Sequence, residues 1–288
     1  TEGTAQLGST RETAAPTTET ASMPVSLSVH IVLPVFLSLP EISLVQAEVL
    51  AWLEGMGWPK QAVASLPVQP ESEMDYIRHL QTWQQQSTSD KSTNKWLLIL
   101  SAISWLDLDL LNEKLQKDKV FADRLARGGA LIGEAASGMV LASRLPDPQL
   151  QLEPLSQLSH FTLAQRSKPV DAKGTIEAGL LAEMLADQML RQDKDKQSLV
   201  GVIASGDLHS GRAIELGRWV TDELTQLDFI DDLVNTAEHF GECGACGGVL
   251  ALMLTTTLAQ HREGKTLFCA NQHASWRALA VAQPVLAA

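Results

Sequence analysis

The chain has 288 residues, 45 % of them hydrophobic and 19 % charged, enough for one large domain or two smaller ones with a sizeable core, and a disordered or coiled-coil chain is excluded. Thirty-four Asp and Glu against 22 Lys and Arg leave a net charge of −12, which argues against a nucleic-acid partner because phosphate binding needs a clustered basic surface. No apolar run approaches the roughly 18–20 residues of a membrane helix, so no membrane span is expected.

Residues 1–22 are rich in Thr, Ala, Glu and Ser without apolar periodicity and read as a disordered linker. A cytoplasmic location is expected, with tethering through a segment before Thr1 as a further expectation. Val25 to Leu37 reads as a strand bent at Pro34. A helix follows, capped by Ser43 with Gln46, carrying Leu44, Ala47, Leu50 and Ala51 at helical spacing and stopped by Gly55 and Gly57. Met74 to Trp83 is amphipathic, and the apolar run Trp96 to Ile103 reads as a buried strand. A helix over Leu106 to Leu125 and a strand over Ala136 to Leu145 lead to the Pro-containing segment Leu145 to Pro154, a candidate seam.

The pattern then restarts. Phe161 to Gln165 is a short strand, Thr175 to Leu190 a helix and Leu199 to Ala204 a buried strand. Ala213, Leu216, Val220 and Leu224 form one stripe of a helix beginning near Ser210, with its acids toward solvent. Phe229 to Val234 runs into the Gly-rich turn Gly241 to Gly248. Val249 to Leu258 is apolar on nearly every face, as a helix between two layers would be. Thr266 to Ala270 and Ala278 to Ala282 close as strands around the turn Asn271 to Trp276. Two α/β halves are expected, over residues 23–150 and 151–288.

Several residues carry chemistry. Cys243 and Cys246 form a C-x-x-C pair, read as small buried packing residues, with metal chelation and redox exchange as the alternatives. The odd cysteine count, with Cys269, points away from a disulfide framework. Asp207 and His209 follow a buried strand where α/β sheets present ligand loops, so they are an acid/base candidate set against a helix cap at Ser210. His273, Trp276 and Arg277 read as an exposed hairpin, with partner binding second. Trp52, Trp58, Trp83, Trp96 and Trp105 read as core and interface anchors.

Gly133-Glu134-Ala135-Ala136-Ser137-Gly138 resembles the Gly-Glu-Gly-Ala-Gly strand entry of β-ketoacyl synthases. Gly211-Arg212-Ala213-Ile214-Glu215 stands where that family has Gly-Asp-Pro-Ile-Glu, and Gly241 to Gly248 where it has Gly-His-Thr-x-Ala-Ala-Gly. Over about residues 24 to 288 the chain is similar to this thiolase-fold family, which implies a thiolase-like layered αβαβα domain of two similar halves. The family's nucleophile is a cysteine at the start of a buried helix in the first half, with two histidines, or His and Asn, in the second. Here residues 1–242 hold no cysteine, and the corresponding helix lies near Glu71 to Trp83 with only Ser72 offering a hydroxyl. The two histidine positions fall at about Ala204 and at Glu242.

The resemblance therefore implies a degenerate, non-catalytic relative. The expected function is an adaptor or recognition module for a protein partner, in the setting of bacterial type VI effector secretion, with Asp207, His209, Glu242, His273, Trp276 and Arg277 as candidate contacts and no cofactor or metal. One alternative is an acyl-thioester transferase or thioesterase using Cys243 with His239 or His273. The other is the inactive partner subunit of a β-ketoacyl synthase, with dimerisation open.

Overall fold

The computed structural model describes residues 25–58, 63–89, 94–104, 112, 133–144, 156–170, 172, 174, 176, 178–191, 196–206 and 209–285. The expected linker over 1–22, the helix over 106–125 except residue 112, and the seam, residues 145–154, lie outside them.

The first sheet has the order β2-β1-β3-β4. β1 (Val25–Val32) pairs in parallel with β2 (Val63–Val68) and with β3 (Asn94–Ser104), and β4 (Glu134–Ala142) runs antiparallel to β3. β2, which contains Pro67, has no counterpart in the sequence reading. At the edge of a sheet the missing N–H of proline costs no ladder bond.

α1 (Leu39–Gly55) starts four residues before the expected cap. Ser38 is its N-cap, donating from both N–H and Oγ to Glu41 Oε2 at 2.7 and 2.6 Å. The Ser43 hydroxyl instead donates back to the Leu39 carbonyl, and the Gln46 amide reaches Ser65 on β2. The expected stripe shifts accordingly, with Ile42 and Leu53 buried and Leu44 63 % exposed.

The second sheet runs β5-β10-β9-β7-β8, with β6 also on β10. Its strands are β5 (Ser156–Leu158), β6 (Thr162–Gln165), β7 (Leu199–Ala204), β8 (Leu233–Asn235), β9 (Lys265–Ala270) and β10 (Trp276–Pro284). β7 is parallel to β8 and β9, and β10 is antiparallel to β9.

Five layers follow from which side chains alternate to which face. Leu27, Val29 and Ile31 of β1 pack outward on Ile42 and Leu53 of α1. Between the sheets lie α2 (Glu73–Ser89) and α6 (Gly244–His261), sharing one core of Met74, Ile77, Leu80, Val249 and Leu252 with Leu97 and Ile99 of β3 and Phe268 and Ala270 of β9. The other face of β9, Leu267 and Cys269, packs on α3 (Gly179–Arg191) and α4 (Ser210–Glu223) through Leu181, Leu185, Leu216 and Trp219. A short α5 (Thr236–Phe240) precedes α6 and is capped by Gly241 at φ +74°, a conformation that favours glycine. The αβαβα layering matches the expected architecture.

α6 shows why an all-round apolar helix appears here: it touches sheet one, sheet two and α2 together, leaving it no polar side to keep. Of the expected tryptophan anchors, Trp96 is buried, packing on Trp58 with ring centroids 6.5 Å apart, whereas Trp52 is exposed and Trp105 is outside the described residues. Among the described residues no helix is long and apolar enough to cross a membrane.

Candidate functional site

The start of α2 meets the loops after β7 and β9 and the first turns of α6. Ser72 caps α2 reciprocally with Asp75: its N–H and Oγ donate to Asp75 Oδ2 at 3.1 and 2.7 Å. The hydroxyl that stood nearest the family's nucleophile in sequence is thus a capping group.

Glu73, the first residue of α2, is 1 % exposed, and among the described residues neither carboxylate oxygen has a hydrogen-bond partner of good geometry. It is wedged against α6 so closely that a Cβ on Gly248 would stand 2.8 Å from its Cγ and Oε1. Burial pushes its carboxyl up to about 7, against the opposing pull of the Ser205 hydroxyl, the Gln272 backbone amide and the Arg277 and Arg212 charges. The Ser205 hydroxyl is drawn to the Cys269 carbonyl at 3.4 Å, and the Gln272 side chain donates to the Ser205 carbonyl at 2.7 Å.

Beside this lies an amide pair. A Cβ on Gly206 would stand 2.8 Å from Asn271 Oδ1 and 3.2 Å from Asn235 Oδ1. Asn235 caps α5, accepting from Ala237 N at 3.3 Å, while the buried Asn271 Oδ1 has no partner among the described residues. The site is a buried, polar cluster at the C-terminal ends of β7, β8 and β9 and the N-terminus of α2.

Arg277 and Glu215 correct the sequence reading. Arg277 is fully buried at the second position of β10, not in an exposed hairpin. Its Nε and Nη2 donate to Glu215 Oε2 at 2.9 and 2.6 Å, and Nη1 donates to the carbonyls of His273 and Trp276. Glu215, read as one of the solvent-side acids of its helix, is equally buried and pairs through Oε1 with Arg166. Paired carboxylate and guanidinium satisfy one another where neither could be buried alone.

His273 is half-buried, and its Nδ1 accepts from the N–H groups of Ser275 and Trp276 at 3.0 and 3.1 Å. Burial, followed by the nearby Arg277, Arg212 and Arg78 charges, holds its pKa below the usual value. Trp276 is partly buried with the Arg78 guanidinium 4.5 Å from its ring centroid, across the two halves. His209, and not Ser210, is the N-cap of α4, its Nδ1 accepting from Gly211 N at 3.2 Å. Asp207 lies outside the described residues.

The cysteines are all buried and free. Cys243 donates to the Phe240 carbonyl at 3.5 Å, and burial followed by the Glu242 charge pushes its thiol up to about 11. Cys246 faces the Val32 and Ala102 carbonyls of sheet one at 3.8 and 3.5 Å, and burial pushes it up to about 12. Burial of this kind disfavours the thiolate form of both cysteines. His239 is exposed on α5, its ring against Phe240, and Glu242 is half-buried. Among the described residues no three His, Cys, Asp or Glu side chains gather as metal ligands.

Glu73 and Glu215 are the site residues that sequence reasoning missed. For Glu73 a signal was available: Glu73, Ile77, Leu80 and Gln84 recur at helical spacing, which puts the carboxylate on the apolar face of α2.

No protein-family model and no curated protein matches the sequence. Solved structures do match in fold. A ketosynthase from module 6 of the bacillaene synthase from Bacillus subtilis 168 superposes with a TM-score of 0.64 at 13 % identity, over 92 % of this chain and 54 % of that one. The fold is thiolase-like. The ishigamide ketosynthase/chain length factor gives a TM-score of 0.59 at 12 % identity, over 90 % of this chain and 73 % of that one. A type II PKS acyl-carrier protein in complex with its ketosynthase bound to the hexaketide gives 0.60 at 9 % identity, over 78 % of this chain and 64 % of that one. The chain thus spans about half the length of the bacillaene ketosynthase. These neighbours overturn the expected adaptor in effector secretion, for they are ketosynthases and a chain length factor.

Proposed function

We propose that this chain is a non-condensing subunit of ketosynthase-type acyl-chain assembly, pairing with a catalytically complete ketosynthase as a chain length factor does. Glu73 carries the reading. In the thiolase-fold resemblance the first turn of this helix holds the cysteine nucleophile, and a carboxylate buried there cannot form a thioester intermediate. The three thiols of the chain are buried, two of them on or beside α6 and one on β9, and none lies on α2. Protein partners fit the same reading, since the matched structures include a ketosynthase with its acyl-carrier protein and a ketosynthase/chain length factor.

Two measurements test it. Incubated with an acyl thioester, the purified chain keeps its intact mass, and co-expressed with a ketosynthase from the same genome it elutes as a stable heteromer by size-exclusion chromatography. A mass increase of one acyl unit that disappears on Cys243→Ala, or a chain that stays apart from every such ketosynthase, overturns the proposal.

A further inference from the structure

Independently of that role, we infer that Glu73 is a proton-operated latch between the two halves: protonated, it holds α2 seated against α6, and ionised, it loosens that seam. The geometry is the argument. The carboxyl sits at the crossing of α2 with α6, against Gly248, and reaches toward Ser205 and Gln272 from the loops after β7 and β9. Neither oxygen has a hydrogen bond of good geometry among the described residues, so the pull of these two donors falls short of a full pairing. The cation that acts on it most strongly, Arg277, spends its donors on Glu215 and on the carbonyls of His273 and Trp276. A carboxylate formed there is a buried charge whose neighbour is already paired, and the cheapest relief is to let water into the seam.

The groups around it are known from each packed element. Arg277 on β10 and Arg212 on α4 favour the ionised form, the Cys269 thiol on β9 is itself raised by burial and by Glu215 and Glu73, and α6 presents Gly248. On its own helix Asp75, Arg78 and His79 lie toward the outside, with Arg78 and Asp75 paired at 3.2 Å and His273 beyond them.

The sign follows from linkage. The folded-state value of about 7 stands above the ordinary 4.5, so the stability Glu73 contributes is complete below pH 4.5 and is lost as pH rises to about 7, after which it is level. The experiment compares the melting temperature of the wild type and Glu73→Gln at half-unit steps from pH 4.5 to 8.5. Hydrogen exchange of the α2 and α6 amides is followed alongside. The advantage of the variant is expected to grow from pH 4.5 to 7 and then stay constant, with wild-type α2 amides exchanging faster than those of the variant above pH 7. Two parallel melting profiles overturn the latch. Should Glu73→Gln fail to fold, a carbon-13 titration of glutamate carboxyls in the wild type decides, and the absence of any carboxyl with a midpoint between about 6 and 8 refutes it.

Discussion

In the first half β1, α1, β2, α2, β3 and β4 give the strand order β2-β1-β3-β4, and in the second β7, α4, β8, α6, β9 and β10 give β8-β7-β9-β10. The paths are the same, and the surroundings differ. β9 is buried at every residue and β10 at nearly every one, between α6 on one side and α3 with α4 on the other, whereas β4 alternates between half-buried and exposed along its whole length. α6 is apolar all round, while α2 keeps a polar stripe that ties it to the second half, Gln84 bonding both the Ser159 carbonyl and the Phe161 N–H. Burial on both faces forces polar groups to find partners, and the second half answers with Arg277, Glu215 and Arg166 in one cluster. The first half sends Glu73 into the same interior without a partner. Pairing makes one buried charge a strut, and its lack makes the other a titratable liability.

The contrast can be broken most strongly at the paired charge. Arg277→Met leaves the buried Glu215 with Arg166 on Oε1 but strips both donors from Oε2 and is expected to cost about 3–5 kcal/mol in urea unfolding, whereas the double replacement Arg277→Met with Glu215→Leu recovers part of that loss. If the single variant is as stable as the wild type, the cluster is not a strut. In the layer shared by both halves, Leu252→Ala on α6, at 1 % exposure, is expected to cost about 2–5 kcal/mol by the same measurement.

Gly248→Ala pushes a methyl group into the Glu73 side chain and is expected to cost about 1–3 kcal/mol. In a Glu73→Ala background the same change becomes much milder, and additive costs in the double-mutant cycle show that the two residues do not press on one another.

A pH arm sharpens the comparison from the first half. His30 on β1 is held down to about 4, by burial first and the His79 charge second. Because its folded value lies below the ordinary 6.5, the protein loses stability as pH falls from 6.5 toward 4, the reverse of the Glu73 trend. A His30→Phe variant is expected to hold its melting temperature better than the wild type over that interval, and identical acid profiles contradict this. The smallest effect belongs to the open flank, where Leu44→Ala on α1 is expected to change stability by no more than about 0.5 kcal/mol.

Elements whose signal lies in consecutive residues were legible without coordinates. The runs Trp96 to Ile103, Leu199 to Ala204 and Thr266 to Ala270 are strands, and Val249 to Leu258 is the buried middle of α6. Such patterns record only that a segment is covered on one face or on all, and they need no knowledge of the covering element. The layered thiolase-like architecture followed from that alternation together with the family resemblance. The cap of α1 was misplaced because Ser43 and Gln46 have the right spacing, while Ser38 and Glu41 have the same spacing five residues earlier beside Pro40.

What tertiary structure alone decided is the fate of the polar residues. Glu215 and Arg277 stand 62 positions apart and meet because α4 packs into the same outer core as the Leu279 and Val281 face of β10. Arg277 looks like a hairpin residue until β10 is placed between two layers, and Ser72 looks like a spare hydroxyl until Asp75 turns back to it. The cost of burying a charge depends on which groups arrive from distant strands to share it, and no local period in the sequence encodes that arrival.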